Sequence, residues 1–196
     1  MIAQPSQHAE RHIPNHSALF ANLLRATGLV IVGVLMAWPA HAQDKLKFGE
    51  QRGAVSGLPV PRFVSLKADR VNLREGPARD HRVTWVFQRA GLPVEVTAEF
   101  DVWRKVRDSD GTEGWVLHSL LSGRRTALVA PWKKDAVFVL RAQPEENATP
   151  TARLQAEVIA GIKSCDGSWC HIYGKGFDGY IQQTSLWGVY PNEKID

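Results

Sequence analysis

The residues of this chain that could do chemistry are few. Cys165 and Cys170 are the only cysteines. Nucleophilic cysteine catalysis needs a thiolate, a histidine base and a group that orients the base. His81, His118 and His171 stand apart in sequence, on different predicted strands or loops. No serine lies in a Gly-x-Ser-x-Gly elbow. Gly174-Lys175-Gly176 is too short for a phosphate-binding loop and precedes no helix. Asp108, Asp110 and Glu113 surround Gly111 without the spacing of a calcium loop; a turn accounts for them. A zinc site at the cysteines would draw on His171 as its one close further ligand. The chain is therefore read as non-catalytic, with no cofactor and no metal. In an oxidising compartment the cysteine pair reads as a disulfide, with free or redox-active thiols and a metal site as alternatives. Cys165-Asp166-Gly167-Ser168-Trp169-Cys170 carries an Asp-Gly turn between extended segments, so a bridge there would staple a hairpin.

Binding chemistry is better represented. Two-residue alternation on a strand puts Trp103, Lys105 and Arg107 on one face, and Trp169, His171 and Tyr173 on the equivalent face of a second strand. Val106 and Ile172 point the other way and are the core candidates, with Arg104 and Cys170 beside them. Aromatic rings stack on sugars or peptides, and Lys105 or Arg107 could meet a carboxylate. The competing reading is that both tryptophans cover barrel ends. Trp115 and Tyr180 are expected in the core. Arg74 and Arg141, each closing a strand, are expected to make structural pairings.

The elements that position these residues are written twice. Val71-Asn72-Leu73-Arg74-Glu75-Gly76-Pro77 returns at an offset of 67 as Phe138-Val139-Leu140-Arg141-Ala142-Gln143-Pro144. Trp103-Arg104-Lys105-Val106 returns at 66 as Trp169-Cys170-His171-Ile172, and Gly114-Trp115-Val116 at 65 as Gly179-Tyr180-Ile181. Two single-residue deletions account for the drift, and a repeat of this length is one structural unit used twice. Within each copy short alternating runs are broken by turn residues, among them Asp108-Ser109-Asp110-Gly111 and Gly176-Phe177-Asp178-Gly179. No stretch holds helical spacing over three turns. Short strands at this density predict a small barrel. At about 60 residues such a unit buries only about 60% of its unfolded surface, so a disulfide and an interface between the copies would both help. Gln143 stands where the first copy has Gly76, so the two first loops are expected to differ in shape.

Residues 1–42 read as a signal peptide. Arg11 and Arg25 precede the twelve-residue apolar run Leu29–Ala40, which closes on Ala40-His41-Ala42 and places cleavage between Ala42 and Gln43. As a helix the run would rise about 18 Å against a hydrocarbon core of about 30 Å. The alternative is an uncleaved anchor, the one case in which a membrane is a partner. Four of the seven histidines (His8, His12, His16 and His41) fall in this leader, so their metal-box spacing carries little weight. Beyond it 22 Lys and Arg face 19 Asp and Glu, a net charge of about +3. That balance favours anionic surfaces weakly and gives no reason to expect nucleic acid. Residues 43–61 read as a flexible linker, 62–125 and 126–190 as the two domains, and 191–196 as a tail.

Val71-Asn72-Leu73-Arg74-x-Gly76-Pro77, Gly91-x-x-Val94, Trp103-x-Lys105-Val106 and Asp110-Gly111-x-x-Gly114-Trp115-Val116, in that order, resemble the bacterial SH3-like domain. The second copy keeps Leu140-Arg141, Pro144, Trp169, Gly179 and the aromatic Tyr180. The resemblance implies an all-β chain of two tandem small, strongly bent barrels of five to seven strands. It also implies an extracytoplasmic, periplasmic or otherwise secreted setting, and peptidoglycan or an envelope protein as partner. Such domains often ride beside a cell-wall hydrolase domain; no such domain is recognisable here.

Overall fold

A computed structural model describes residues 51–196. The signal peptide, its Ala42–Gln43 cleavage site and residues 43–50 lie outside the described residues. Alternating apolar residues and closely spaced turns give antiparallel strands almost throughout, as the sequence predicts. The first barrel is β1 (Arg62–Leu66), β2 (Val71–Arg74), β3 (Val83–Phe87), β4 (Pro93–Phe100), β5 (Trp103–Arg107), β6 (Glu113–Leu117) and β7 (Leu121–Ser122). The second is β8 (Thr126–Val129), β9 (Val137–Arg141), β10 (Pro150–Gln155), β11 (Ile159–Asp166), β12 (Trp169–Gly174), β13 (Phe177–Gln182) and β14 (Leu186–Trp187), followed by β15 (Lys194–Ile195). The sheet orders β3-β2-β6-β5-β4-β1-β7 and β10-β9-β13-β12-β11-β8-β14 correspond strand for strand. A short 3-10 turn, His118–Leu120 or Gln183–Ser185, precedes the last strand of each.

The register is repeated as closely as the order. Each long fourth strand carries a bulge against the fifth, at Thr97 in β4 and at Lys163 in β11. Bulges bend and twist a strand, which lets so small a sheet curl. Gly114 and Gly179 mark the place where the first hairpin crosses the sixth strand. A Cβ at 114 would lie 2.5 Å from Leu73 Cγ, and one at 179 would lie 2.9 Å from the Arg141 carbonyl. Each barrel then fills its own core. Leu66, Val71, Leu73, Val94, Val96, Val106 and Val116 are buried in the first; Val129, Leu140, Ile162, Cys170, Ile172 and Ile181 are buried in the second.

One cross-strand position is solved differently in the two copies. Glu99 faces Arg104 across the β4–β5 hairpin and pairs with it at 3.4 Å. The equivalent residues of β11 and β12 are Cys165 and Cys170, which face each other and form the disulfide. A segment outside the repeated strands lies against each hairpin. Ile195 of β15 lies beside Cys165. On the first barrel, residues 51–61 fold back as a strap. Its Val55 and Ser56 amides donate to Glu99 Oε2 at 3.1 and 2.8 Å, Ser56 Oγ donates to Oε1 at 2.6 Å, and Arg62 Nη2 donates to the same Oε1 at 2.8 Å. Of the stretch 43–61 expected as a flexible linker, residues 51–61 thus form a strap tied to the barrel through Val55 and Ser56, because a buried carboxylate needs these donors. The expected tail, at Lys194–Ile195, is a strand, because β11 offers it a free edge.

The barrels meet over a mixed interface. Phe63 packs against Tyr190 and Trp187 at centroid distances of 4.6 and 5.2 Å. Tyr190 Oη donates to Glu95 Oε1 at 2.9 Å, Thr126 Oγ1 to the Gly91 carbonyl at 2.7 Å, and Arg89 Nη2 to the Glu157 carbonyl at 2.9 Å.

Candidate functional site

The face predicted from two-residue alternation exists, and cross-strand register extends it. Arg74 lies opposite Trp115, and Trp115 opposite Lys105. In the second barrel Arg141 lies opposite Tyr180, and Tyr180 opposite His171. Trp115 and Tyr180 therefore belong to this outer row and not to the core. Gly114 and Val116 take the inward positions of β6, Gly179 and Ile181 those of β13, and the aromatic rings between them face outward, half-buried. His171 and Tyr180 stack with centroids 4.5 Å apart.

Most of the charged groups on this row are already paired. Lys105 Nζ lies 2.6 Å from Glu113. At the same station of the second barrel, Asp178 Oδ1 lies 2.6 Å from His171 Nε2 and its Oδ2 lies 2.5 Å from Lys163. These partners hold the Asp178 carboxyl below its ordinary range, through the hydrogen bond from Lys163 first and that from His171 second. Arg107 is bound to Glu95, whose side chain is 4% exposed, with Nε at 2.9 Å. Tyr173 lies over Gly161, and Lys163 Nζ sits 5.8 Å from its ring centroid. Of the six residues predicted for binding, Lys105, Arg107 and His171 thus have partners within the fold.

Trp103 is placed as the competing reading has it, a ring that covers the barrel and not one open on its face. It is 6% exposed and forms the floor of a groove of about 330 Å³. Its walls are Arg70, Asn72, Arg74 and Arg79 from the first hairpin, with Leu117 and Leu120 beyond. Burial of the indole is favoured by its apolar area, and the hairpin loop leaves one edge uncovered. Arg74 Nη1 donates to the His81 carbonyl at 2.7 Å, and Arg141 Nη1 donates to the Ala148 carbonyl at 2.8 Å. Both arginines pin the loop seven residues on, the structural role expected of them. The loops keep one length despite the exchange of Gly76 for Gln143. In the first barrel the His81 ring occupies the space above Gly76; in the second, Ala148 at the equivalent place removes that ring.

The second barrel carries the equivalent groove, of about 450 Å³, between Val137, Val139, Arg141, Glu146 and Trp169. A further hollow of about 590 Å³ lies on the far side of Trp169, against Gln183, Val189 and Tyr190. No charged side chain lines it. Gln183 donates through Nε2 to the Tyr190 and Glu193 carbonyls, and its Oε1 has no partner among the described residues.

Arg70 and Arg79 were not legible as site residues. One precedes β2 and the other lies in the loop after it, so no strand period selects them. Both are exposed, and neither side chain has a hydrogen-bond or ion-pair partner among the described residues. No group of histidine, cysteine, aspartate or glutamate among the described residues is arranged to hold a metal ion. The sulfurs of Cys165 and Cys170 are committed to each other.

Fold and grooves define a tandem small-barrel protein in which one architectural unit is used twice. The family described as Bacterial SH3 domain matches residues 67–123 and again 134–188, and the chain belongs to that family. Among solved structures it is similar to NlpC2 from Trichomonas vaginalis, at 16% identity and a TM-score of 0.30, over 65% of this chain and 48% of that one. It is also similar to NlpC1 from the same organism, at 17% identity and a TM-score of 0.30, over 69% and 48%. The chain thus spans about half the length of these structures. No curated protein matches it.

Proposed function

We propose that this is an exported, non-catalytic protein that binds peptidoglycan, with the groove over Trp103 as its binding site. The observation that carries this reading is the groove itself. It sets Arg70 and Arg79, whose guanidinium groups are unpartnered among the described residues, beside a tryptophan edge. A planar guanidinium binds carboxylates through paired hydrogen bonds, and an aromatic edge suits a sugar or peptide. Family membership supports the wall as ligand, since domains of this kind often bind it. Export, to the periplasm or beyond, rests on the order of basic, apolar and small residues in 1–42. The test is co-sedimentation of residues 43–196 with purified sacculi, beside Arg70→Glu/Arg79→Glu. Binding that the variant loses is the expected result. Recovery of the unaltered protein only in the supernatant at low salt would overturn the reading.

A second reading, an adaptor between envelope proteins, is favoured by exposed apolar residues. Trp132 and Val137 of the second barrel are 55% and 57% exposed, and Trp85 of the first is 54% exposed. Tryptophan is enriched in protein-contact surfaces, which suits Trp132 and Trp85. Capture of an envelope protein that Trp132→Ser/Val137→Ser releases, with no sedimentation on sacculi, would move this reading to first place.

A further inference from the structure

We propose that the two barrels divide the work: the groove of the first takes a ligand bearing free carboxylates, and the equivalent groove of the second is closed to it. The inference rests on the reading that this groove is the binding site, and it names the chemistry that the site selects.

The two grooves are the same place in the fold, so their differences can be read position by position. Trp103 and Trp169 are retained, as are Arg74 and Arg141 with their loop-pinning hydrogen bonds. What changes is the charge. Arg70 is replaced by Val137, Arg79 by Glu146, and Leu117 by Gln182. No acidic side chain lines the first groove. In the second, Gln182 Nε2 donates to Glu146 Oε1 at 3.0 Å, a bond that ties the loop to the end of β13. A carboxylate entering the first groove meets two unpartnered guanidinium groups. In the second it meets an apolar residue and a fixed carboxylate. Like charges brought together without a counter-ion oppose binding, which is how related sites discriminate. Duplication has therefore produced one anion site and not a pair, and tandem avidity for a single repeated ligand is not its purpose. The retained tryptophans decide the ligand class further. With only 6% of Trp103 exposed, stacking area is small, and ion pairing must supply most of the recognition. A peptide stem with free carboxyl groups fits this groove better than a neutral glycan.

The test is calorimetric titration of residues 43–196 with a soluble stem peptide bearing free carboxylates, and with the same peptide amidated at those groups. The expected result is one site per chain, and a weakening of about tenfold or more on amidation, the size expected for loss of a charge-assisted hydrogen bond. Arg70→Val/Arg79→Glu, which gives the first groove the charge of the second, should abolish binding. Val137→Arg/Glu146→Arg should raise the stoichiometry to two. All four positions are exposed, and circular dichroism confirms the fold of each variant. Equal affinity for the amidated peptide, two sites in the unaltered protein, or full binding by Arg70→Val/Arg79→Glu would each overturn the inference. Sacculi separate it from the reading beneath it. Sedimentation that is indifferent to Arg70→Val/Arg79→Glu leaves a wall-binding protein and removes this site. If neither sacculi nor stem peptide binds, the wall reading falls. A glutamate-rich peptide then decides: binding that needs Arg70 and Arg79 sustains the anion site, and its absence ends it.

Discussion

Glu99 shows how much one side chain can organise. Its carboxylate is wholly buried, and burial alone would raise its pKa. Hydrogen bonds from the Ser56 hydroxyl and amide, from Arg62 and from the Val55 amide outweigh burial and hold it at about 2. A carboxyl depressed in the folded state stabilises that state fully above its unfolded value, near 4.5. The contribution is lost as pH falls through the folded value. We therefore expect the Val55 and Ser56 amides to be protected from hydrogen exchange at neutral pH and to lose protection between about pH 4.5 and 2. Glu99→Gln should loosen the strap at neutral pH, about as protonation does in the unaltered protein, and flatten that dependence. Trp103 sets a different expectation. Because it is 6% exposed, Trp103→Ala should cost about 3–5 kcal/mol of stability, read as a lowered melting temperature. It reports on the fold, which is why the exposed arginines are the residues to vary when binding is measured.

At the scale of elements, the paired hairpins β4–β5 and β11–β12 hold the same turn by different chemistry. The ion pair of Glu99 and Arg104 shares its carboxylate with the strap amides, whereas the disulfide is a covalent link that needs an oxidising compartment. Closing so short a ring is worth about 2 kcal/mol in the chain-entropy model. Reductant should lower the melting temperature of the unaltered protein by the shift that corresponds to this. It should leave Cys165→Ser/Cys170→Ser unchanged, since Glu99 and Arg104 do not depend on redox state. An equal response of both proteins would show that the disulfide contributes nothing. The edge that β15 supplies at Cys165 and Asp166 should keep the reduced hairpin paired.

At the scale of the molecule, two small barrels share one interface. Tyr190 is pushed up strongly in pKa, first by burial and then by the nearby Glu95 charge, so it remains a hydrogen-bond donor across the physiological range. Arg107 completes the line on the other side of Glu95. Tyr190→Phe leaves the Glu95 carboxylate short of one donor and should cost about 1–2 kcal/mol. Phe63→Ala removes the ring between Trp187 and Tyr190 and should cost about 3 kcal/mol. Calorimetry should show a single transition for the unaltered protein, and two for Phe63→Ala as the barrels uncouple. A pair of transitions in the unaltered protein would mean that the interface does not couple them.

The sequence by itself determined the repeat, the all-β barrels, the disulfide and the shared face of Trp103, Lys105 and Arg107, because each follows from local rules. Strand period assigns faces, turn residues end strands, and a repeat offset aligns copies. It could also assign Val106 and Ile172 to the core. It misplaced Trp115 and Tyr180, because an aromatic on a strand looks like core until register shows Gly114 and Gly179 taking the inward positions where β2 and β9 cross. It left Trp103 open between a ligand face and a barrel-end cover, because nothing local says that a loop 24 to 33 residues earlier will wall it in. It could not find Arg70 and Arg79, whose meaning is where the first hairpin carries them. Nor could it pair Glu99 with a strap more than 40 residues away in the chain. Local periodicity writes the elements; the closing of the barrel decides which charges are spent inside the fold and which are left facing outward.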